Sequence, residues 1–447
     1  MIKTFRFRNF RSYRDSVLGL SKVTFLIGAN GAGKSNAVDA FRFLNWMGRG
    51  ERLDDLEVRL GAETGQIRGT SEDLFFHGTA EFEFDITVSA DKDYRFKQAI
   101  AHCSRDDAGV KTPFMAVHAE SLLSPTELLP LYSLPARQIP EHSESVEVEY
   151  NNFSRGPNKP RVTCTNRQAI FYQLMSESRF DNPDSKVALP QGARMLKETF
   201  GQMLFLDPNL AKMRDYTRKI RGRSLNQDAS NVSSVIYDIC QNNNAKTDLL
   251  EIIKSLPEQD IREISFVETE IGDVMLQLEE CFGDGNTTPA TLLSDGTLRL
   301  LAISAGILSV PRNSMVVIEE IDNGIHPSRI SHIVSQLYRI AEKRDIQILV
   351  TTHNPAVMSA IPLREIGNVL CCYRNSDDGV SEILKLSRAP RFAELVAKGK
   401  LGDLAISDEL GAIVRDHMSK EDIVAERLKQ FDLFDSMFSD EDETWKD

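Results

Sequence analysis

Hydrophobic and polar positions follow three different rhythms along this chain. Val23–Ile27 is an unbroken apolar run closed by Gly28, the pattern of a buried strand. After Lys34 come Ala37, Val38, Ala40, Phe41, Phe43 and Leu44, spaced for a helix with an apolar face. From Thr79 to Val88 the period is two: Ala80, Phe82, Phe84, Ile86 and Val88 alternate with Glu81, Glu83, Asp85 and Thr87. A polar turn at Ser89–Asp93 then leads into Tyr94–Ile100, which predicts a half-buried hairpin. Residues 105–260 are polar and irregular, with helical stretches such as Asp248–Ile253 and no long heptad seam, and predict a mainly helical insertion. Strand-like sequence returns at Phe266–Leu278, and Met315–Ile318 and Ile346–Val350 are apolar runs of strand length. Between these runs, Pro327–Lys343 puts Ile330, Ile333, Val334, Leu337 and Ala341 on one helical face behind a first-turn proline. Gly367–Arg374 and Glu382–Ser387 predict a closing hairpin. Strands that alternate with helices and are interrupted by a helical block predict an α/β fold with an insertion.

A chain of 447 residues exceeds one ordinary core, which agrees with an insertion or a second lobe. No stretch approaches the roughly 18 uncharged apolar residues of a membrane span and no signal peptide opens the chain, so a cytoplasmic protein is expected. The six cysteines show no C-x-x-C spacing, which argues against a zinc site or a disulfide framework. The net charge of −13 is uneven: Gly402–Asp447 holds 14 Asp and Glu against 5 Lys and Arg. Basic patches elsewhere therefore stay free to act. The tail mixes Asp440–Glu443 with Phe431, Leu433, Phe434, Met437, Phe438 and Trp445, and reads either as a solvated end or as a segment that docks a partner or packs subunits.

Candidate chemistry starts at Gly28-Ala29-Asn30-Gly31-Ala32-Gly33-Lys34-Ser35, a G-x-x-x-x-G-K-[ST] loop between strand and helix. Its glycines let backbone N–H groups close on phosphate oxygens, with the positive end of the helix aimed at them. Lys34 is expected to reach the β- and γ-phosphates, and the Ser35 hydroxyl to bind Mg²⁺. Met315–Ile318 delivers Glu319 and Glu320 at a strand end. The first is expected to hold Mg²⁺, usually through water, and the second to orient or deprotonate the attacking water. Ser294-Asp295-Gly296 opens an apolar helix 25 residues before Glu319, and His353 ends the next strand 33 residues after Glu320.

The order of these parts resembles the ABC ATPase heads of the RecF/SMC-like group, and more closely the single-chain RecF-like and OLD-like ATPases of bacterial anti-phage defence. NFRSY (Asn9–Tyr13), GANGAGKSN, LNQDASNVSSVI (Leu225–Ile236), LLSDGTLRLLA, VVIEEIDNGIHP and TTHNP carry the resemblance. It implies a mixed sheet with a phosphate-loop helix and an antiparallel β-subdomain. Residues 1–104 and 261–395 would form the two halves of the head, 105–260 the helical insertion and 396–447 an acidic helical tail. It further implies that Gly28–Asn36 hold ATP, and that Ser294 and Gly296 close on the γ-phosphate held by another subunit, as in a homodimer or a higher even-numbered oligomer. His353 would match the switch histidine that senses this phosphate. Three departures stand out: Asp295 replaces a signature glycine, so its carboxylate must point away from phosphate; Glu319 stands where many relatives carry Asp; and no Q-loop glutamine is clear, Gln66 being a weak candidate.

The tail is too short for a Toprim nuclease and no coiled-coil arms are present, so nucleic-acid cleavage would fall to a separate effector, as in PARIS- or Septu-type systems. A RecF-like DNA repair clamp and a nucleotide-locked scaffold with negligible turnover are the alternatives. Lys212, Arg214, Arg218, Lys219, Arg221 and Arg223, with Asp215 the only acid among them, suit either a DNA backbone or a solvated helix face pairing with the acidic tail or another subunit. Arg6, Arg8 and Arg11 are either close to nucleotide or part of an exposed strand edge.

Overall fold

A computed structural model describes residues 1–60, 67–107, 110–136, 144–156, 158–222, 224–253, 261–281, 286–389, 392–407 and 409–415. Gln66, Arg223 and the tail beyond 415 lie outside the described residues.

The architecture is α/β. Its centre is a six-stranded sheet in the order Leu204–Leu206, Met315–Ile318, Gln347–Thr352, Val23–Ile27, Leu370–Arg374, Ser381–Lys385. The first five strands are parallel and the last is antiparallel, closing the expected hairpin. Successive residues of the parallel strands enter two different cores: Phe25, Ile27, Val316, Ile318, Ile348 and Val350 face one, and Leu26, Met315, Val317 and Leu349 the other. Burial on both faces is why these strands read as unbroken apolar runs.

On one side the phosphate-loop helix, Lys34–Gly48, is pressed against an eight-stranded antiparallel sheet whose strands include Ile2–Phe10, Tyr13–Gly19 and Glu81–Ser89. Edge-to-face aromatic contacts join the two layers, with Phe5 to Phe41 at 5.0 Å and Phe43 to Phe82 at 5.2 Å between ring centroids. On the other side lie the helices Asp295–Ser309 and Pro327–Arg344, together with a small antiparallel sheet built on Ile261–Glu268 and Asp273–Glu280.

The expectation of a mainly helical 105–260 needs correction. The strand Asp93–Asp107 continues past 105, and Val110–Leu123, Tyr132–Leu134, Ser145–Tyr150 and Arg161–Thr165 extend the antiparallel sheet to its edge. Helices dominate only afterwards, chiefly as Pro183–Gly201, Val232–Cys240 and Asn243–Ile253. The outer strands bury few side chains and turn charge outward, as in the Arg161–Glu149 pair at 2.7 Å, so their apolar signal is weak. Val146, Val148 and Tyr150, alternating with Glu147 and Glu149, are the sequence trace of the first of them.

A buried carboxylate ties this sheet to the helix that follows. Glu120 accepts hydrogen bonds from Gln98 Nε2 (2.8 Å), the Tyr132 hydroxyl (2.8 Å) and the backbone N–H groups of Ile170 (3.0 Å) and Phe171 (2.7 Å). Burial outweighs these bonds and pushes its pKa up from 4.5 to about 7. Because the folded value lies above the unfolded one, this group stabilises the fold fully below about pH 4.5 and loses that contribution as pH rises through 7. Glu120→Gln is expected to flatten this part of the pH dependence of the melting temperature. It also costs about 1–3 kcal/mol, because its amide NH₂ would face donors. Thermal melts across the interval check both, and an unchanged pH slope would refute the assignment.

Candidate active site

The phosphate loop follows the central strand Val23–Ile27, and its shape is imposed by its neighbours. Gly28, Gly31 and Gly33 have φ of 152°, 77° and 115°, a region that side chains disfavour. At Gly28 a Cβ would stand 2.2 Å from the Cys372 carbonyl oxygen, and at Gly33 one would meet Ser381 Oγ at 2.6 Å. The Tyr13 hydroxyl donates to the Gly33 carbonyl (3.0 Å), the Cys372 thiol to that of Ala32 (3.1 Å), and the Asn36 amide to the Ser12 hydroxyl (2.8 Å). Burial pushes the Cys372 thiol up to about 11, which keeps it a neutral donor. Arg11, in the tight turn before Ser12, takes a positive φ of 50° while its guanidinium is buried against Asp39 at 3.1 Å. The NFRSY segment is therefore a brace for the loop.

Gly33 caps the helix Lys34–Gly48 without a side-chain hydrogen bond, so the first-turn N–H groups are left for an anion. Lys34 is buried, and its Nζ donates to the carbonyl oxygens of Gly28 (2.7 Å) and Ala29 (3.0 Å). Burial lowers its pKa, opposed by Cys372, Glu320 and Asp322. Gly28–Ala32 also line a cavity of about 500 Å³ with His353, Met358 and Arg374.

Glu319 and Glu320 leave the strand Met315–Ile318 at the same carboxyl edge. Glu320 takes a positive φ of 47°, and its backbone N–H donates to the Thr351 hydroxyl (3.1 Å). Its Oε2 accepts from Asn323 Nδ2 (2.8 Å), and its Oε1 lies 3.9 Å from His353 Nδ1. The carboxylate expected to activate water and the histidine expected to sense the γ-phosphate are thus neighbours. Asp322 fixes the adjoining turn by accepting from Thr352 Oγ1 (2.8 Å) and Asn354 Nδ2 (3.2 Å). Glu319 is more enclosed: burial raises its pKa, and Arg42 Nη2 opposes this from 2.6 Å on Oε1. Oε2 has no hydrogen bond among the described residues, which leaves one hard oxygen for a cation.

Ser294 caps the helix Asp295–Ser309, accepting from the Thr297 N–H at 3.2 Å. A Cβ at Gly296 would stand 2.7 Å from the Gly324 carbonyl oxygen, so this glycine allows the turn after Glu320 to approach the helix. Asp295 is turned onto Arg214, Nη2 to Oδ1 at 2.8 Å, and the same guanidinium nitrogen donates to the Leu293 carbonyl at 3.0 Å. Ser294 is exposed and Gly296 half-buried.

With this geometry in place, residues 23–359 match the family described as "AAA domain, putative AbiEii toxin, Type IV TA system". The chain belongs to this family. It is an ATPase. An ATP/GTP phosphatase of Helicobacter pylori is 20% identical over 360 residues, 79% of this chain and 85% of that protein. The DNA replication and repair protein RecF of Leptospira interrogans is 25% identical over 139 residues, which is 31% of this chain and 36% of RecF. Among solved structures, an Smc head bound to the C-winged helix domain of ScpA matches at 14% identity and a TM-score of 0.47, covering 87% of this chain and 99% of that one.

In this AAA-domain ATPase the basic segment is not the helix face it resembled. It runs from a short helix, Leu210–Met213, into the strand Thr217–Arg218. Lys212 pairs with Asp228 at 2.9 Å, Arg214 braces Asp295, and Lys219 pairs with Glu268 and sits over the Tyr237 ring. Arg218 and Arg221 are exposed. Arg6 and Arg8 pair along the sheet with Asp15 and Glu83, while Arg11 turns toward the site. Sequence reasoning missed Asp39 and Arg42. Their signal was the recurrence of polar Ser35, Asp39 and Arg42 every four and three residues in a largely apolar helix. Among the described residues no helix is long and apolar enough to cross a membrane.

Proposed function

We propose that ATP closes two copies of this chain head to head, and that the switch so formed controls a separate effector, a nuclease, in anti-phage defence. The observation that carries the head-to-head reading is the division of parts. Glu320 and His353 stand 3.9 Å apart beside the phosphate loop, whereas Ser294 lies exposed at the surface, close to Leu292, which is 75% exposed. A second copy is the natural source of the missing wall. Lys34 and the loop N–H groups bind the β- and γ-phosphates, Glu320 orients the attacking water and takes its proton, and His353 senses the γ-phosphate. Ser35 and the free oxygen of Glu319 are hard donors that fit Mg²⁺, which keeps most of its waters in such sites. Bound there, Mg²⁺ neutralises charge on the phosphates.

The family description, which names an AbiEii toxin, supports the defence reading. The local match to RecF favours a second reading, a DNA repair clamp in which Arg218 and Arg221 meet the backbone. Phage plating and ultraviolet survival of cells with and without Lys34→Ala separate the two, since each reading requires loss of a different protection.

Ser294→Arg tests the composite site. Bulk and charge at the junction should cut turnover at least about tenfold while each subunit still binds ATP, and Ser294→Ala, which adds no bulk, controls for the lost helix cap, worth about 1 kcal/mol. Wild-type turnover by a folded Ser294→Arg protein would rule out closure in trans.

A further inference from the structure

The phosphate-loop helix is buried along most of its length, yet it carries an acid and a base inside. Asp39 has no exposed surface and receives three guanidinium groups: Arg42 at 3.2 Å on Oδ1, Arg11 at 3.1 Å and Arg68 at 3.2 Å on Oδ2. Arg42 then reaches Glu319, Nη2 to Oε1 at 2.6 Å, with its guanidinium 5.4 Å from the centroid of Phe205. Phe205 pairs with Val317 in the strand that delivers Glu319. Asp39, Glu319 and an aromatic face thus hold Arg42 from three directions.

A buried ion pair of this kind is a poor way to gain stability, since apolar packing of similar volume often serves as well. What it supplies is a fixed orientation. Ser35 and Arg42 are seven residues apart, two turns, and so share a helix face about 10 Å apart along the axis. Helical side chains lean toward the N-terminus, so Arg42 extends back toward Ser35. Its grip on Oε1 leaves Oε2 as the oxygen of Glu319 open to another partner.

We infer that Arg42 is a positioning residue for the metal side of the ATPase site: it holds Glu319 by one oxygen so that the other serves Mg²⁺ together with Ser35. Asp39 anchors Arg42 in turn. The inference rests on the reading of Ser35 and Glu319 as the Mg²⁺-holding pair.

The test is the gain in nucleotide affinity that Mg²⁺ confers, measured by calorimetry on the full chain with the β,γ-imido analogue of ATP in EDTA and in Mg²⁺. General damage to the loop lowers both affinities, whereas loss of positioning lowers only their ratio. Arg42→Met is expected to reduce the Mg²⁺ gain by about 10–100-fold, the usual effect of losing a partner of a metal ligand. Arg42→Lys, which keeps a cation, should recover part of it. The Arg42→Met/Glu319→Gln double variant should lose no more than Glu319→Gln alone, because both act through one carboxylate. If Glu319→Gln loses the gain while Arg42→Met keeps it, or if the two losses add fully, Arg42 does not position Glu319. If both single variants keep it, the reading of Glu319 fails and the inference falls with it. Should Arg42→Met not fold, Phe205→Leu loosens the same guanidinium and must lower the same ratio; an unchanged ratio overturns the proposal.

Discussion

Glu320→Gln is expected to lower ATP turnover by about 100-fold or more while ATP still binds, because general-base assistance contributes on this scale. The substitution keeps the size of the side chain and one acceptor, so Asn323 still has a partner at the position it now bonds at 2.8 Å. It removes the negative charge that faces His353 and accepts the proton of water. Without that charge the step after closure stalls, and the closed pair accumulates. Two measurements follow: turnover by phosphate release, and mass in solution with ATP by light scattering. An ATP-dependent rise in mass together with lost turnover is the expected pair of results. Turnover near the wild-type rate would remove Glu320 from the chemistry, and lost turnover without any rise in mass would remove the head-to-head closure.

Lys34→Ala should weaken ATP binding by about 100-fold or more, since charge-assisted bonds to phosphate contribute about 1.5–3 kcal/mol each. The lysine also secures the loop itself through the carbonyl groups of Gly28 and Ala29, so the variant loses loop order along with charge. The fold should survive, because the helix that begins at Lys34 is held by its aromatic face against Phe5 and Phe82. Calorimetry on a folded variant decides the matter, and unchanged affinity would overturn the role of the loop.

The parts of the fold that announce themselves in the sequence are those whose environment is uniform. Val23–Ile27 and Met315–Ile318 are wet on neither face, so nothing interrupts their apolar runs. The motifs at Gly28–Ser35, Ser294–Gly296, Glu319–Glu320 and His353 were legible because their order along the chain is itself informative, and Glu320 and His353 do meet. Ser145–Tyr150 and Arg161–Thr165 were missed because half-exposed strands at the outer end of the sheet keep too few apolar residues to outweigh their charges. The surroundings of the run from Lys212 to Arg221 were not legible for a different reason. Its charge density is local, but the carboxylates of Asp228, Glu268 and Asp295 that answer it come from up to about eighty residues away and appear only in three dimensions. The same reasoning settles Asp295, whose charge looked awkward in a signature turn until Arg214 was found beside it.

The phosphate loop is hemmed in by the carbonyl group of Cys372 at Gly28 and by Ser381 and Tyr13 at Gly33, and this placement has a kinetic consequence. Surrounding strands cast the loop in its working shape, so ATP meets a rigid receptor and little of its binding energy goes into ordering backbone. Association should then proceed in a single phase whose rate rises linearly with ATP concentration. Slower phases would belong to the meeting of subunits, and diluting the protein would separate the two in time.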